Sequence, residues 1–189
     1  MIDSSAPCSA TPFLSSDRLN LEPLRLDHAD EMAVLLDDTL LYTFTGGEPA
    51  TSEQLRDRYA RQIRGFSPDG SERWYNWVVR ERSSGAALGY VQATLTEQDA
   101  APKGELAWVI GSRYQGRGFA REAAMVLMAW LRQRGVEIIL AHIHPQNEAS
   151  KGVARALGLI PTQTIVDGEI RWQGTVTAVR DRSSRTVAD

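Results

Sequence analysis

The sequence predicts a single α/β (α+β) domain around a mixed sheet, and three observations carry that prediction. Strand-like and helix-like periods follow one another as strand, two helices, three strands, helix, strand, helix and hairpin. No linker or internal repeat divides the 189 residues, a length that suits one domain. Hydrophobic residues make up 42% and charged residues 24%, which is enough apolar surface for a sizeable core and excludes a disordered chain, a fibrous repeat or a coiled coil.

The elements are justified in chain order. Residues 1–15, rich in Ser, Pro and Ala, and residues 181–189, without apolar periodicity, read as flexible tails around a domain spanning 16–180. Leu19, Leu21 and Leu24 mark a first strand, which Pro23 keeps near an edge. Asp27 is the expected cap of a helix carrying Ala29, Met32, Ala33, Leu35 and Leu36. A loop with Gly46, Gly47 and Pro49 leads to a second helix that starts at Thr51, carries Leu55, Tyr59 and Ile63, and is broken over 65–71. Residues 74–80 and 88–95 are strands joined at Ser83-Ser84-Gly85, and 106–110 is a third short apolar run. Ala120, Ala123, Ala124, Leu127, Met128 and Leu131 form the longest helical stripe, which Gly135 stops. Residues 138–143 read as a buried strand, and Ala149, Val153, Ala154 and Leu157 as a shorter helix ending at Gly158. Asp167-Gly168, between 164–166 and 169–172, signals a type I′ hairpin.

Charge and cysteine usage narrow the function classes. Lys and Arg number 21 against 24 acids, a net charge of −3, so a nucleic-acid partner is not expected. The single cysteine, Cys8, excludes an intrachain disulfide and a thiolate-rich zinc site, and without a base partner it is a poor nucleophile. The first sixteen residues lack a basic start and an apolar signal stretch, and no run approaches the roughly 20 apolar residues of a membrane span. The expectation is a cytoplasmic protein without a membrane partner.

The segment Gln115-Gly116-Arg117-Gly118-Phe119-Ala120 follows a strand and opens the best helix. Helix starts carry unpaired N–H groups and partial positive charge, and glycines let a ligand approach the backbone, so the reading is a phosphate or pyrophosphate site. It lacks the Gly-Lys-Ser/Thr end of a Walker loop and the third glycine of the dinucleotide fingerprint. A turn using glycine for geometry alone is the alternative.

From Trp108-Val109-Ile110 through Tyr114 and Gln115 to Ala123, the chain resembles the acetyl-CoA motif of the GNAT N-acetyltransferase superfamily, Gln/Arg-x-x-Gly-x-Gly/Ala, in Gln115, Gly118 and Ala120. The branch it resembles is the ribosomal-protein alanine/serine acetyltransferase-like group, with Ser16 to Leu24 similar to that branch's first strand. His144-Pro145-Gln146-Asn147-Glu148-Ala149-Ser150, followed by Leu157-Gly158-Leu159, is similar to its later motifs. The likeness runs over about residues 16–172. It implies a mixed, mostly antiparallel sheet of about seven strands, splayed between the fourth and fifth, with about four helices. Acetyl-CoA, the acyl-donor cosubstrate, would enter the gap. Its pantetheine would pair with the backbone of Val109 and Ile110, and its pyrophosphate would sit on the N–H groups of Gly116, Arg117, Gly118, Phe119 and Ala120. Asn147 would meet the pantetheine, while Arg113 and Arg117 would either meet phosphate or stay solvated.

The activity implied is acetyl transfer to a primary amine, of a protein N-terminus or a small molecule, by direct attack in a ternary complex. It needs a base or water chain, an oxyanion donor (a backbone N–H at Val109 or its neighbour) and an acid for the thiolate. Glu105 is the first candidate base and His144 the second, each also readable as an ordinary structural residue. His142 and His144 share a strand face, but no acid or cysteine completes a metal set, so no metal is expected. Many relatives carry a tyrosine acid where this chain has Ala154, which leaves Ser150 as the candidate near the thioester sulfur. Of the alternating Trp74-Tyr75-Asn76-Trp77, one pair belongs to the core. The other, Trp74 and Asn76, is the candidate acceptor lining with Tyr42 and Phe44. The rival reading is a non-catalytic acyl-CoA-binding or sensing module. A monomer and a homodimer are equally compatible with the sequence.

Overall fold

In a computed structural model, which describes residues 10–96 and 102–176, twelve regular elements follow one another. They are β1 (Leu14–Ser15), β2 (Leu19–Pro23), α1 (Ala29–Leu35), α2 (Ser52–Gln62), β3 (Glu72–Glu81) and β4 (Ala87–Thr96). Then come β5 (Lys103–Ile110), α3 (Phe119–Gln133), β6 (Ile138–Ile143), α4 (Glu148–Ala156), β7 (Ile160–Val166) and β8 (Glu169–Thr175). The eight strands form one sheet in the order β1-β2-β3-β4-β5-β6-β8-β7. Every neighbouring pair is antiparallel except β5–β6. No helix among the described residues is long and apolar enough to cross a membrane.

Side-chain alternation divides the sheet between two helical layers. On one face Tyr75, Trp77, Leu88, Val91, Leu106 and Ile110 pack against the α3 stripe of Phe119, Ala123, Leu127 and Leu131. Trp130 closes this core with its ring edge-on to Tyr75 and Trp77, at 4.8 and 5.3 Å between centroids. On the other face Val78 lies under α1 and α2 with Met32, Leu35, Leu55 and Tyr59, and Tyr90 and Val109 pack at the margin.

Local chemistry accounts for most boundaries. Thr51 accepts from the Gln54 N–H, and the Gln54 side chain accepts from the Thr51 N–H, a capping box that starts α2. Asp167 and Gly168 take φ of 51° and 84°, the two positive values a type I′ turn requires. The expected cap at Asp27 is corrected. A 3₁₀ turn, Leu26–His28, precedes α1, and within it the His28 ring nitrogen accepts the Arg25 N–H while Asp27 binds the Arg25 side chain. The expected N-terminal tail is also corrected over its described part. Leu14 packs on the core, and Pro12 accepts a hydrogen bond from the Trp77 indole, a buried donor that needs a partner. The short β1 makes the sheet eight strands rather than seven. Cys8, residues 177–180 and the expected C-terminal tail lie outside the described residues.

The parallel join is short. β5 and β6 pair only through Lys103↔Ile138, Gly104↔Ile139 and Glu105↔Leu140, after which the strands part. These are the fourth and fifth strands of the sequence reading, so the splay stands where the resemblance implied it. The parting divides the sheet into two leaves, β1–β5 and β6–β8–β7.

Candidate active site

The parting of β5 and β6 opens a cleft of about 620 Å³. Glu105 stands at its vertex, Val109 and Ile110 line one wall, and His144, Asn147 and Ser150 line the other. Gln115, Gly116, Gly118, Phe119 and Ala120 close one end, and Phe44 reaches in from the loop after α1. The sequence expectations thus meet in one place, apart from Arg117, Tyr42, Trp74 and Asn76.

The phase of the β5 backbone corrects one expectation. Gly111 N–H donates to Leu88 O at 2.9 Å, and the antiparallel ladder alternates from that pair. The peptide groups of Val109 and Ala107 therefore face β4, and those of Ile110, Trp108 and Leu106 face the gap. Agreeing with this phase, a Cβ built on Gly89 would lie 2.0 Å from the Val109 carbonyl oxygen. The backbone available to a ligand in the gap is that of Trp108 and Ile110 rather than Val109.

The loop before α3 is held by its own side chains. Gln115 Nε2 donates to the Ile110 carbonyl at 2.8 Å, so this side chain fastens the loop to the end of β5. Gly116 and Gly118 take φ of +73° and +81°, and a Cβ at Gly116 would meet nothing within 4 Å, so the surface there is open. No side chain caps α3, which leaves its first N–H groups for an incoming anion. Glu122, one turn in, takes Ser16 Oγ at 2.7 Å and the Arg18 guanidinium at 2.5 Å, tying the helix start to β1 and β2. Burial opposes ionisation of this carboxyl, yet the Ser16 and Arg18 hydrogen bonds hold it below its ordinary pKa. Arg117 lies over the Phe119 ring and 3.4 Å from Glu81, outside the cleft. Nothing local encodes this clamp, because Ser16 and Arg18 lie about a hundred residues from Glu122.

At the vertex, Glu105 Oε1 is 2.9 Å from His142 Nδ1. Arg171 Nε donates to His142 Nε2 at 3.4 Å, and a guanidinium has no lone pair to offer, so Nε2 is the acceptor and the ring proton is on Nδ1. His142 therefore donates to Glu105, whose side chain is 47% exposed while the imidazole is 16% exposed. From sequence alone, His142 reads only as a potential metal ligand. Its place here follows from the β6–β8 register, which sets it opposite Arg171.

His144 takes the other tautomer. Its Nδ1 accepts the Gln146 N–H at 3.2 Å, so the neutral ring carries its proton on Nε2, and the ring packs on Phe44 with centroids 5.3 Å apart. Asn147 caps α4 by accepting the Ser150 N–H at 3.0 Å. Ala154 is fully buried, and its methyl has no proton to give.

Three expected acceptor residues lie elsewhere. Tyr42 donates to Leu36 O at 3.3 Å, and the Trp74 indole donates to Glu72 at 2.8 Å. Neither lines the cleft: Leu40 and Leu41 of the 3₁₀ turn Thr39–Tyr42 do so in place of Tyr42, and Trp74 lies two strands away from Glu105 across β4. Asn76, on the same face as Trp74, lines a second cavity of about 170 Å³ under α2.

A family model described as an acetyltransferase (GNAT) domain matches residues 18–160. Among solved structures, the chain is similar to a GNAT-family acetyltransferase from Bacillus anthracis, with 15% identity, a TM-score of 0.71 and coverage of 88% of this chain and 99% of that one. It is similar to the ribosomal-protein-S5-alanine acetyltransferase from Vibrio fischeri, with 17% identity, a TM-score of 0.67 and coverage of 88% and 98%. A spermidine N-acetyltransferase from Vibrio cholerae, solved with CoA and spermine, gives 18% identity, a TM-score of 0.66 and coverage of 86% and 98%.

Proposed function

Because the chain belongs to the GNAT acetyltransferase family, we propose that it is an acetyl-CoA-dependent N-acetyltransferase that takes its acceptor amine at Glu105. The observation that carries this reading is the gap between β5 and β6, with an uncapped helix start at one end and a carboxylate at its vertex. The thioester supplies the acetyl group and a thiol leaving group. Trp108 and Ile110 offer backbone groups along the gap, and the N–H groups of residues 116–120 offer donors to the pyrophosphate. The Asn147 amide, whose oxygen is engaged in capping, keeps its NH₂ for the pantetheine.

The amine must lose a proton to attack, since a free lysine or α-amine is largely protonated at neutral pH. Glu105 Oε2 is free of the His142 bond and takes that proton, directly or through one water, while His142 and Arg171 fix the carboxylate's orientation. As the new C–N bond forms and the C–S bond breaks, a backbone N–H of β5 facing the gap stabilises the charge growing on the carbonyl oxygen. The thiolate leaves toward Ser150, whose hydroxyl hydrogen-bonds to it, and the second proton of the attacking nitrogen passes to the sulfur as the C–S bond breaks, giving the thiol. His144 presents a donor, because its Nδ1 lone pair is engaged with Gln146. Its part is to orient the acceptor rather than to take the proton.

Calorimetric titration of acetyl-CoA into the wild type and Gly118→Asp, followed by thiol release with a panel of amines, tests this function. Micromolar binding that Gly118→Asp abolishes, with turnover of an amine, supports it. A folded wild type that binds no acetyl-CoA overturns it, and tight binding without turnover of any amine points to a binding module.

A further inference from the structure

The second cavity lies on the α1/α2 face, between α2 and the strands β3 and β4, and Tyr90 lines both it and the main cleft. Its floor is a cross-strand polar pair. Asn76 is opposite Gln92, and the Gln92 amide donates to Asn76 Oδ1 at 2.6 Å. Asn76 is only 7% exposed, and its NH₂ makes no hydrogen bond within the described protein. Arg58, which forms no ion pair among the described residues, and Tyr59 also line it, and the Arg58 guanidinium acts electrostatically on both the Tyr59 and the Tyr90 phenol. Burial pushes both the Tyr59 and Tyr90 phenols above their ordinary pKa, so both stay protonated donors. A guanidinium, an amide NH₂ and two phenols converging on one small space are the donor set of a carboxylate site.

Register links this space to the vertex. Asn76, Gln92 and Ala107 stand opposite one another across β3, β4 and β5, and Glu105 is on the same face two residues along from Ala107. With strand spacing near 4.8 Å and about 3.3 Å per residue, the path from Glu105 to the Gln92–Asn76 pair is about 8–12 Å. At the amine end the charges are acidic, with Glu105 and Glu169 both lining the cleft.

We propose that the second cavity binds a carboxylate at the far end of the acceptor, so that the substrate class is an amine bearing a carboxylate about 8–12 Å away rather than a polyamine. This rests on the acetyltransferase reading, since the amine end is the one placed at Glu105. A polyamine would set its distal ammonium against Arg58 and leave the Asn76 donor unpaired, which disfavours it on both charge and hydrogen bonding.

The test compares thiol release with a ladder of ω-amino carboxylates, from aminobutanoate to aminodecanoate, against their amides and diamines of equal length. The expected result is a carboxylate preference of tenfold or more in kcat/KM at the best length. Arg58→Ala removes that preference while leaving the amide rates unchanged, and Arg58→Glu turns it toward the diamines. Arg58 is exposed, so neither variant disturbs the core. Calorimetric binding of the N-acetylated carboxylate and of its amide, with and without CoA, gives a readout that needs no turnover. Tighter binding of the carboxylate, lost in Arg58→Ala, supports the carboxylate site even where no amine is turned over, and in that case only the catalytic reading falls. Equal binding of the two products, or a preference that survives Arg58→Ala, overturns the proposal even where amines are acetylated.

Discussion

Glu105 and His142 meet across the point where the sheet divides, Oε1 to Nδ1 at 2.9 Å, although one belongs to each leaf. Arg171, opposite His142 on β8, settles which nitrogen carries the proton. The carboxylate is thus oriented by a chain of two donors from the far leaf, and Glu105 lines the cleft.

The first prediction concerns that pair. Glu105→Gln lowers kcat about 10²–10³-fold with little change in acetyl-CoA affinity. His142→Gln lowers it about tenfold, and the double variant is no worse than Glu105→Gln, because His142 acts through Glu105. Thiol-release kinetics and calorimetry on the four proteins check this. Additive losses in the double variant would separate the two residues.

Gly118 tests the helix start by conformation rather than charge. A Cβ there meets only the Arg18 guanidinium at an ordinary 3.6 Å, so the penalty of a side chain is one of backbone, at φ +81°. Gly118→Ala lowers stability by about 1–2 kcal/mol, and Gly118→Asn by less, since asparagine tolerates the left-handed region. Denaturant unfolding of both variants reads the order, and equal losses would contradict it.

Asn147 and Ser150 separate structure from chemistry on α4. Asn147→Ala removes the cap and lowers unfolding free energy by about 1 kcal/mol. Ser150→Ala leaves stability within about 0.5 kcal/mol, because its side chain is not the cap, but reduces kcat. Paired denaturation and rate measurements on each variant are decisive, and a stability loss in Ser150→Ala as large as in Asn147→Ala is the adverse result.

His28 makes stability depend on pH. It is 1% exposed, its Nε2 is 3.5 Å from Glu22, and burial together with the nearby Arg25 guanidinium lowers its pKa. Above the unfolded value of about 6.5 both states are neutral and the group has no effect. As pH falls below that value the unfolded chain binds a proton that the folded one refuses, so stability drops, by at most about 1.4 kcal/mol per pH unit, until the folded pKa is reached. His28→Asn, which keeps an acceptor for the Arg25 N–H, flattens the curve of Tm between pH 7 and 5. An unchanged slope counts against the assignment.

What could be read beforehand was local. The glycines around Arg117, the helix start at Thr51 and the Asp167-Gly168 turn are written within a few residues, where backbone sterics decide the outcome. Strand parity also foretold that Trp74 and Asn76 share a face. Which cavity each enters depends on how α1 and α2 pack over that face, and nothing near residue 76 encodes it. Likewise the shift from Val109 to Trp108 and Ile110 hangs on one hydrogen bond, Gly111 to Leu88, between segments 23 residues apart. The Glu105–His142–Arg171 chain needs the register of three strands at once, a product of the whole sheet.

The three residue pairs joining β5 to β6 make the sheet resemble a pair of jaws with its pivot at Glu105. Any spreading of the jaws to admit a bulkier acyl chain displaces their tips near Ile110 most and the pivot least. Glu105, the proposed proton acceptor, occupies the pivot, so its alignment is the property best insulated from the width of whatever enters.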